Sequence, residues 1–269
     1  MTQQAQALVE VAWPQDGCAL VTLNRPQAKN ALSLALRREF VRVFTQELAG
    51  RARVVVLTGA GDAFCAGLDL KELGSVEDPR SAVVPEPAND PVLAVRRFEG
   101  PVIGAVNGAA ITGGFELALA CDLLLAAESA RFADTHARVG VLPGWGLSQL
   151  LPRRIGIGRA KQMAFSAQPI GARQALEWGL VNAVLPAAEL LPAALRLAGD
   201  MLAAAPAMLA AYKRLIDDGA ELALGAALRL ESERSAAWAQ GLQRDEVAQR
   251  GGALLRRGPE QDSTGKESA

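Results

Sequence analysis

The hydrophobic positions of this chain change their period along its length. Val9 to Trp13 and Ala19 to Leu23 are short β-rich runs that flank Pro14-Gln-Asp-Gly17. An Asp-Gly between two such runs predicts a hairpin. Ser33 reads as an N-cap, and Leu34 to Leu48 follows with helical spacing and good helix formers. Arg53 to Thr58 is a continuous apolar, β-branched run, the pattern of a strand covered on both faces, and it ends in the loop Gly59-Ala-Gly61-Asp62.

A second cycle repeats the order. Asp69 to Leu73 starts a helix, Gly74 to Asp90 is a Pro-, Ser- and charge-rich stretch predicting a flexible surface loop, and Val92 to Phe98 is helical. Pro101 to Val106 is another buried strand that enters Asn107-Gly108 and then Gly113-Gly114. Phe115 to Ala120 reads as a short helix, and Asp122 to Ala127 as a strand. From Gly156 onward the pattern is mainly helical, with one strand near Val181 to Leu185. Amphipathic helices are predicted over Leu190–Ala204, Pro206–Asp217 and Leu222–Ala239, and a polar, frayed end from about Gly258. The fold class is α/β followed by α.

Composition narrows the function. With 269 residues, half of them hydrophobic, the chain can bury a sizeable core. Its net charge of −1, without a dominant Lys/Arg cluster, argues against nucleic acid or an anionic membrane as partner. No signal peptide is read at the N-terminus, and the apolar stretch Leu117 to Ala127 is broken by Asp122 and too short to span a bilayer. Cys18, Cys65 and Cys121 are far apart with no Cys-x-x-Cys, which suits reduced thiols in the cytoplasm. His136 is the only histidine, so a multi-His metal site is ruled out and no metal is expected.

Two glycine turns carry the candidate chemistry. In Phe64-Cys-Ala-Gly67-Leu68-Asp69, glycine lets the backbone approach a ligand, and Asp69 can cap the helix that follows; the same residues also serve as a plain strand-to-helix connection. In Asn107-Gly-Ala-Ala-Ile-Thr-Gly113-Gly114-Phe115-Glu116, glycines again precede a helix start, where amides can hold an anion. The spacing fits neither a dinucleotide fingerprint nor a P-loop. Glu116 lies in an apolar segment, so it either finds a partner, shifts its pKa upward, or faces solvent. Together, the two turns can each give one N–H to a single oxygen, an oxyanion hole beside a carboxylate.

At this point the chain resembles the crotonase (enoyl-CoA hydratase/isomerase) superfamily. The resemblance rests on Asn24-Arg-Pro-Gln-Ala-Lys-Asn-Ala-Leu32, Phe64 to Asp69, Asn107-Gly108 through Glu116-Leu-Ala, and Cys121-Asp122. It continues through Leu142-Pro-Gly-Trp-Gly146, Leu151-Pro-Arg, Ile155-Gly-Ile-Gly158-Arg-Ala and Ala175 to Val181, covering about residues 8 to 240. It implies a spiral of repeated ββα units over 1–200 that carries the CoA site. A C-terminal helical region over 201–257 would support a homotrimer or homohexamer, ahead of a flexible tail over 258–269. It further implies that the N–H groups of Leu68 and Gly113 hold a thioester oxygen and that Glu116 handles water and protons. Lys29 would lie near CoA, with Ala66, Asp69, Leu70 and Gly114 in the substrate-binding loops. The substrate would be an acyl-CoA, with CoA entering as part of it and no separate cofactor.

The pattern departs from the hydratases at one place. The slot of their second glutamate, counted from Cys121-Asp122, falls here on His136 within Phe132-Ala-Asp-Thr-His136-Ala-Arg-Val-Gly140. Histidine titrates near neutrality, so it can transfer a proton there or only orient the pocket; Asp134 is the other candidate, and Arg138 can pair with either carboxylate. Trp145 either lines the acyl pocket or belongs to the core. Hydration of a trans-2-enoyl-CoA is the expected reaction. Other enolate reactions of the family (isomerisation, C–C cleavage, dehalogenation) and a silent acyl-CoA binder are the alternatives.

Overall fold

The computed structural model describes residues 7–75, 84 and 86–243. The predicted loop over Gly74–Asp90 and the tail beyond Gly258 lie largely or wholly outside these residues. The predicted hairpin forms β1 (Val9–Gln15) and β2 (Cys18–Leu23), antiparallel, with Gly17 at φ 76° closing the turn. Helix α1 (Leu34–Arg42) starts where Ser33 accepts the Leu36 N–H. It ends earlier than the spacing predicts, passing into a π-helical turn over Val43–Glu47. There the Thr45 hydroxyl donates to the Val41 carbonyl four residues back, a competitor for the helix's own bonds.

Beyond α1 the chain winds through a strand, a second strand and a short helix three times. The cycles are β3 (Val54–Gly59), β4 (Ala63–Cys65) and α2 (Leu70–Leu73); β5 (Val102–Val106), β6 (Ala109–Ile111) and α4 (Gly113–Leu119); and β7 (Leu123–Ala127), β8 (Arg131–Ala133) and α5 (His136–Val139). Helix α3 (Pro91–Arg97), capped by Asp90, precedes the second cycle. The sequence suggested two such cycles; the third was hidden by the brevity of β8 and α5. The first strands of each cycle build a six-stranded sheet in the order β1-β2-β3-β5-β7-β10, with β10 at Ala183–Leu185; all its pairs but β1-β2 are parallel. The second strands build a smaller sheet, β4-β6-β8-β9, with β9 at Ile170–Gly171.

The continuous apolar runs are explained by this layering. Along β3, Val54 and Val56 face one layer and Val55 and Leu57 the other, and all are fully buried. After α6 (Leu147–Ile155), α7 (Ile157–Ser166) and α8 (Ala172–Glu177), helix α9 (Ala187–Leu202) covers the first face with Leu190, Ala194 and Ala198, one every four residues, which is a single helical stripe. Burial of Leu190 alone contributes about 2 kcal/mol. The opposite face packs on Leu36, Phe40, Phe64 and Phe115, so α1, β4 and α4 are fastened to the sheet largely by aromatic side chains.

The chain divides into two compact units after Ala211. In the second, α11 (Leu224–Ala239) is tied to α10 (Pro206–Ala220) by Arg234, which donates to Asp218 at 2.5 Å and to the Arg214 carbonyl at 3.2 Å. Tyr212, Ile216, Leu224 and Leu228 are exposed there. No single described helix is long and apolar enough to cross a membrane.

Candidate active site

Two close backbone approaches place the pocket. Gly67 has φ 90°, and a Cβ there would stand 2.7 Å from the Ile111 carbonyl and 3.2 Å from the Gly113 nitrogen. A Cβ on Gly113 would in turn lie 3.5 Å from the Leu68 nitrogen. The Leu68 and Gly113 amides are therefore neighbours at the edge of one pocket, which both residues line. Gly113 opens α4, so its N–H has no carbonyl one turn back within the helix. Gly114 is not in the pocket lining. It presses on the Cys65 backbone, where a Cβ would come within 2.1 Å of the carbonyl oxygen.

Thr112, just before the helix, has φ 52° and ψ −113°. For a β-branched residue this conformation costs on the order of 1–3 kcal/mol. Its N–H donates to the Ala133 carbonyl at 2.8 Å, and its hydroxyl meets the hydroxyl of Thr135.

Glu116 is 2 % exposed, with hydrogen bonds to one carboxylate oxygen and an ion-pair contact to the other. Oε1 accepts the backbone N–H groups of Trp145 at 2.8 Å and Leu147 at 3.3 Å, while Oε2 lies 3.6 Å from Nε2 of His136. Of the options open in the sequence, the carboxylate takes that of finding partners. His136 is the first residue of α5 and is buried. Its Nδ1 lies 2.8 Å from Asp134 Oδ1, which also accepts the His136 backbone N–H at 3.1 Å. Burial works against the imidazolium, but the hydrogen bonds and charges of Asp134 and Glu116 outweigh it, and its pKa is pushed up to about 9. The only histidine thus favours its protonated form, with Nδ1 facing Asp134 and Nε2 facing Glu116.

The pocket, about 570 Å³ with its open side, has Thr112, Glu116, Thr135 and His136 as its polar lining. Ala66, Leu68, Leu70, Leu73, Val139, Val141, Leu142 and Trp145 provide an apolar lining. Trp145 belongs to both descriptions offered by the sequence: it is buried, and it borders the pocket, with its ring 3.0 Å from where a Gly113 Cβ would be. Lys29 and Asp69 are outside the lining. The Lys29 ammonium, exposed, pairs with Asp62 at 2.6 Å. Asp69 caps α2 through the Lys71 and Glu72 amides and binds Arg25 at 2.5 Å. Arg138 turns away to the Ser166 carbonyl. Among the described residues, no group of three or more His, Cys, Asp or Glu is placed to hold a metal.

Three contributors escaped the sequence reading. Thr112 and Thr135 look like ordinary loop residues until the fold joins them. Arg37, 1 % exposed, donates Nε–H to the Asn89 carbonyl at 2.8 Å and lies 5.1 Å over the Trp145 ring. Its signal was present, since Arg37 precedes the core side chains Val41 and Phe44 by four and seven residues, which places all three on one helical face.

Comparisons with known proteins agree with this geometry. The family model described as Enoyl-CoA hydratase/isomerase matches residues 14–249. The chain is 38 % identical over 261 residues to a probable enoyl-CoA hydratase 1, peroxisomal, of Arabidopsis thaliana, covering 97 % of each chain. It is 38 % identical over 220 residues to a short-chain-enoyl-CoA hydratase of Clostridium acetobutylicum, covering 80 % of this chain and 83 % of that one. Among solved structures it is similar to an enoyl-CoA hydratase from Bacillus anthracis. That match has a TM-score of 0.84 and 36 % identity, and covers 90 % of this chain and 95 % of the other.

Proposed function

The chain belongs to the enoyl-CoA hydratase/isomerase family, and from that premise we propose that it hydrates trans-2-enoyl-CoA thioesters, with Glu116 as base and His136 as acid. The observation that carries the assignment is the 3.6 Å approach of Glu116 Oε2 and His136 Nε2 in a pocket bordered by the Leu68 and Gly113 amides.

The thioester oxygen accepts from these two amides. Glu116 takes a proton from water as its oxygen adds to C3, and the charge that develops on the thioester oxygen is held in the oxyanion hole. His136 then gives its Nε2 proton to C2, and the C2 electron pair of the enolate becomes the new C–H bond. Passage of the proton from Glu116 back to His136 restores both groups. The balance is one water added across the double bond. Asp134, bonded to Nδ1, keeps the imidazole protonated and its Nε2 turned toward Glu116. Asp134 is a positioning residue in this scheme rather than the acid.

CoA enters as part of the substrate, and Lys29 contacts it by exchanging Asp62 for a phosphate. We also propose a cytoplasmic location; the three free, buried cysteines support a reducing compartment. It assembles as a trimer or hexamer through the exposed apolar side chains of the C-terminal helices.

The test follows loss of enoyl-thioester ultraviolet absorbance on crotonyl-CoA and on a longer enoyl-CoA. Glu116→Gln is expected to lower kcat by about 10²- to 10⁴-fold with the fold intact, and His136→Ala by a comparable factor. Absence of turnover in the folded wild type on either substrate would sink the hydratase assignment, and wild-type kcat in the His136 variant would remove that residue as acid.

A further inference from the structure

Thr112 holds a backbone conformation that glycine would adopt without strain, so its side chain must bring something that offsets the cost. What it brings is a link between the two helices that carry the reacting groups. Thr112 immediately precedes α4, which presents Glu116, and Thr135 immediately precedes α5, which begins with His136. The two hydroxyls bond each other, the Thr135 N–H donates to the Thr112 hydroxyl at 3.3 Å, and the Thr112 N–H donates to Ala133. Both threonines line the pocket, so loss of either side chain opens no cavity in the core.

We propose that the Thr112–Thr135 hydroxyl pair is a positioning device that sets His136 opposite Glu116, with Nε2 and Oε2 3.6 Å apart. Neither threonine transfers a proton; they fix the start of one helix against the start of the other. A displacement of even 1 Å between acid and base is enough to slow the reaction by up to about a hundredfold. The inference rests on reading Glu116 and His136 as base and acid.

Thr112→Gly is the informative variant, because it removes the hydroxyl and relieves the strain together. Its Tm is expected to equal or exceed that of the wild type, while kcat on crotonyl-CoA falls roughly ten- to a hundredfold and KM changes less than about twofold. Thr135→Val, which keeps the shape and removes the hydroxyl, should show the same split, and Thr112→Ser and Thr135→Ser should recover most of the rate. The single imidazole gives one ¹⁵N NMR titration curve, which is expected to move in both hydroxyl-less variants and return in the serine variants. Wild-type kcat and titration in Thr112→Gly and Thr135→Val would overturn the proposal, as would a lowered Tm with kcat unchanged, the mark of a merely structural contact. Glu116→Gln and His136→Ala, measured alongside, separate the two failures. If those retain turnover, the acid–base reading falls and the positioning proposal with it; if they lose it while the threonine variants do not, only the positioning proposal falls.

Discussion

At His136, burial alone would drive the imidazole to shed its proton, yet Asp134 and Glu116 hold it on up to a pH of about 9. Between the unfolded value of 6.5 and about 9 the native protein binds more protons than the unfolded chain. The linked stability is therefore fully present below pH 6.5 and is lost as pH rises through about 9; on the order of 3 kcal/mol is its upper limit. Asp134→Asn removes the carboxylate on Nδ1. Urea unfolding from pH 6 to pH 10 is then expected to lose most of this slope, and the alkaline limb of kcat/KM should move to lower pH, with kcat reduced by about ten- to a hundredfold. An unchanged alkaline limb would mean that Asp134 does not govern the acid. The sequence supplied Asp134 and His136 as a pair of candidates. It left undecided which one donates, because that depends on Glu116 reaching Nε2 from another helix.

The ββα cycle works as an element because of its close backbone contacts. Gly114 allows α4 to rest on β4, and a methyl group at that point meets the Cys65 carbonyl at 2.1 Å. Gly114→Ala forces the helix away from the strand, so a loss of about 2–3 kcal/mol is expected in denaturant unfolding, with kcat reduced because the Gly113 amide moves with the helix. Unchanged stability would mean that β4 yields at no cost. Strands β3 and β5 were legible as continuous apolar runs, and Ser33 as a cap. Strands β4, β6 and β8 were not, since three residues are too few to show a period. The early end of α1 was likewise hidden, because the Thr45 bond to Val41 that competes with it is local chemistry inside an otherwise helical pattern.

For the whole molecule, the C-terminal helices present Tyr212, Ile216, Leu224 and Leu228 to solvent in the single chain. The proposed assembly would cover these side chains. Light scattering is expected to give three or six times the 28.2 kDa chain mass, and Ile216→Glu with Leu228→Glu to lower it; a monomeric wild type would reject the assembly. The sequence by itself determined the α/β class, the order of the glycine turns, the family, and the presence of Glu116 and His136 at two motif positions, because periodicity and motif spacing are local properties. Only the tertiary structure decided that His136 stands between two carboxylates, whose charges favour its protonated form. It also decided that Arg37 lies over Trp145 and that Thr112 meets Thr135. Each of these depends on contacts between residues far apart in the chain, and a pKa or a strained φ has meaning only once burial and neighbours are set.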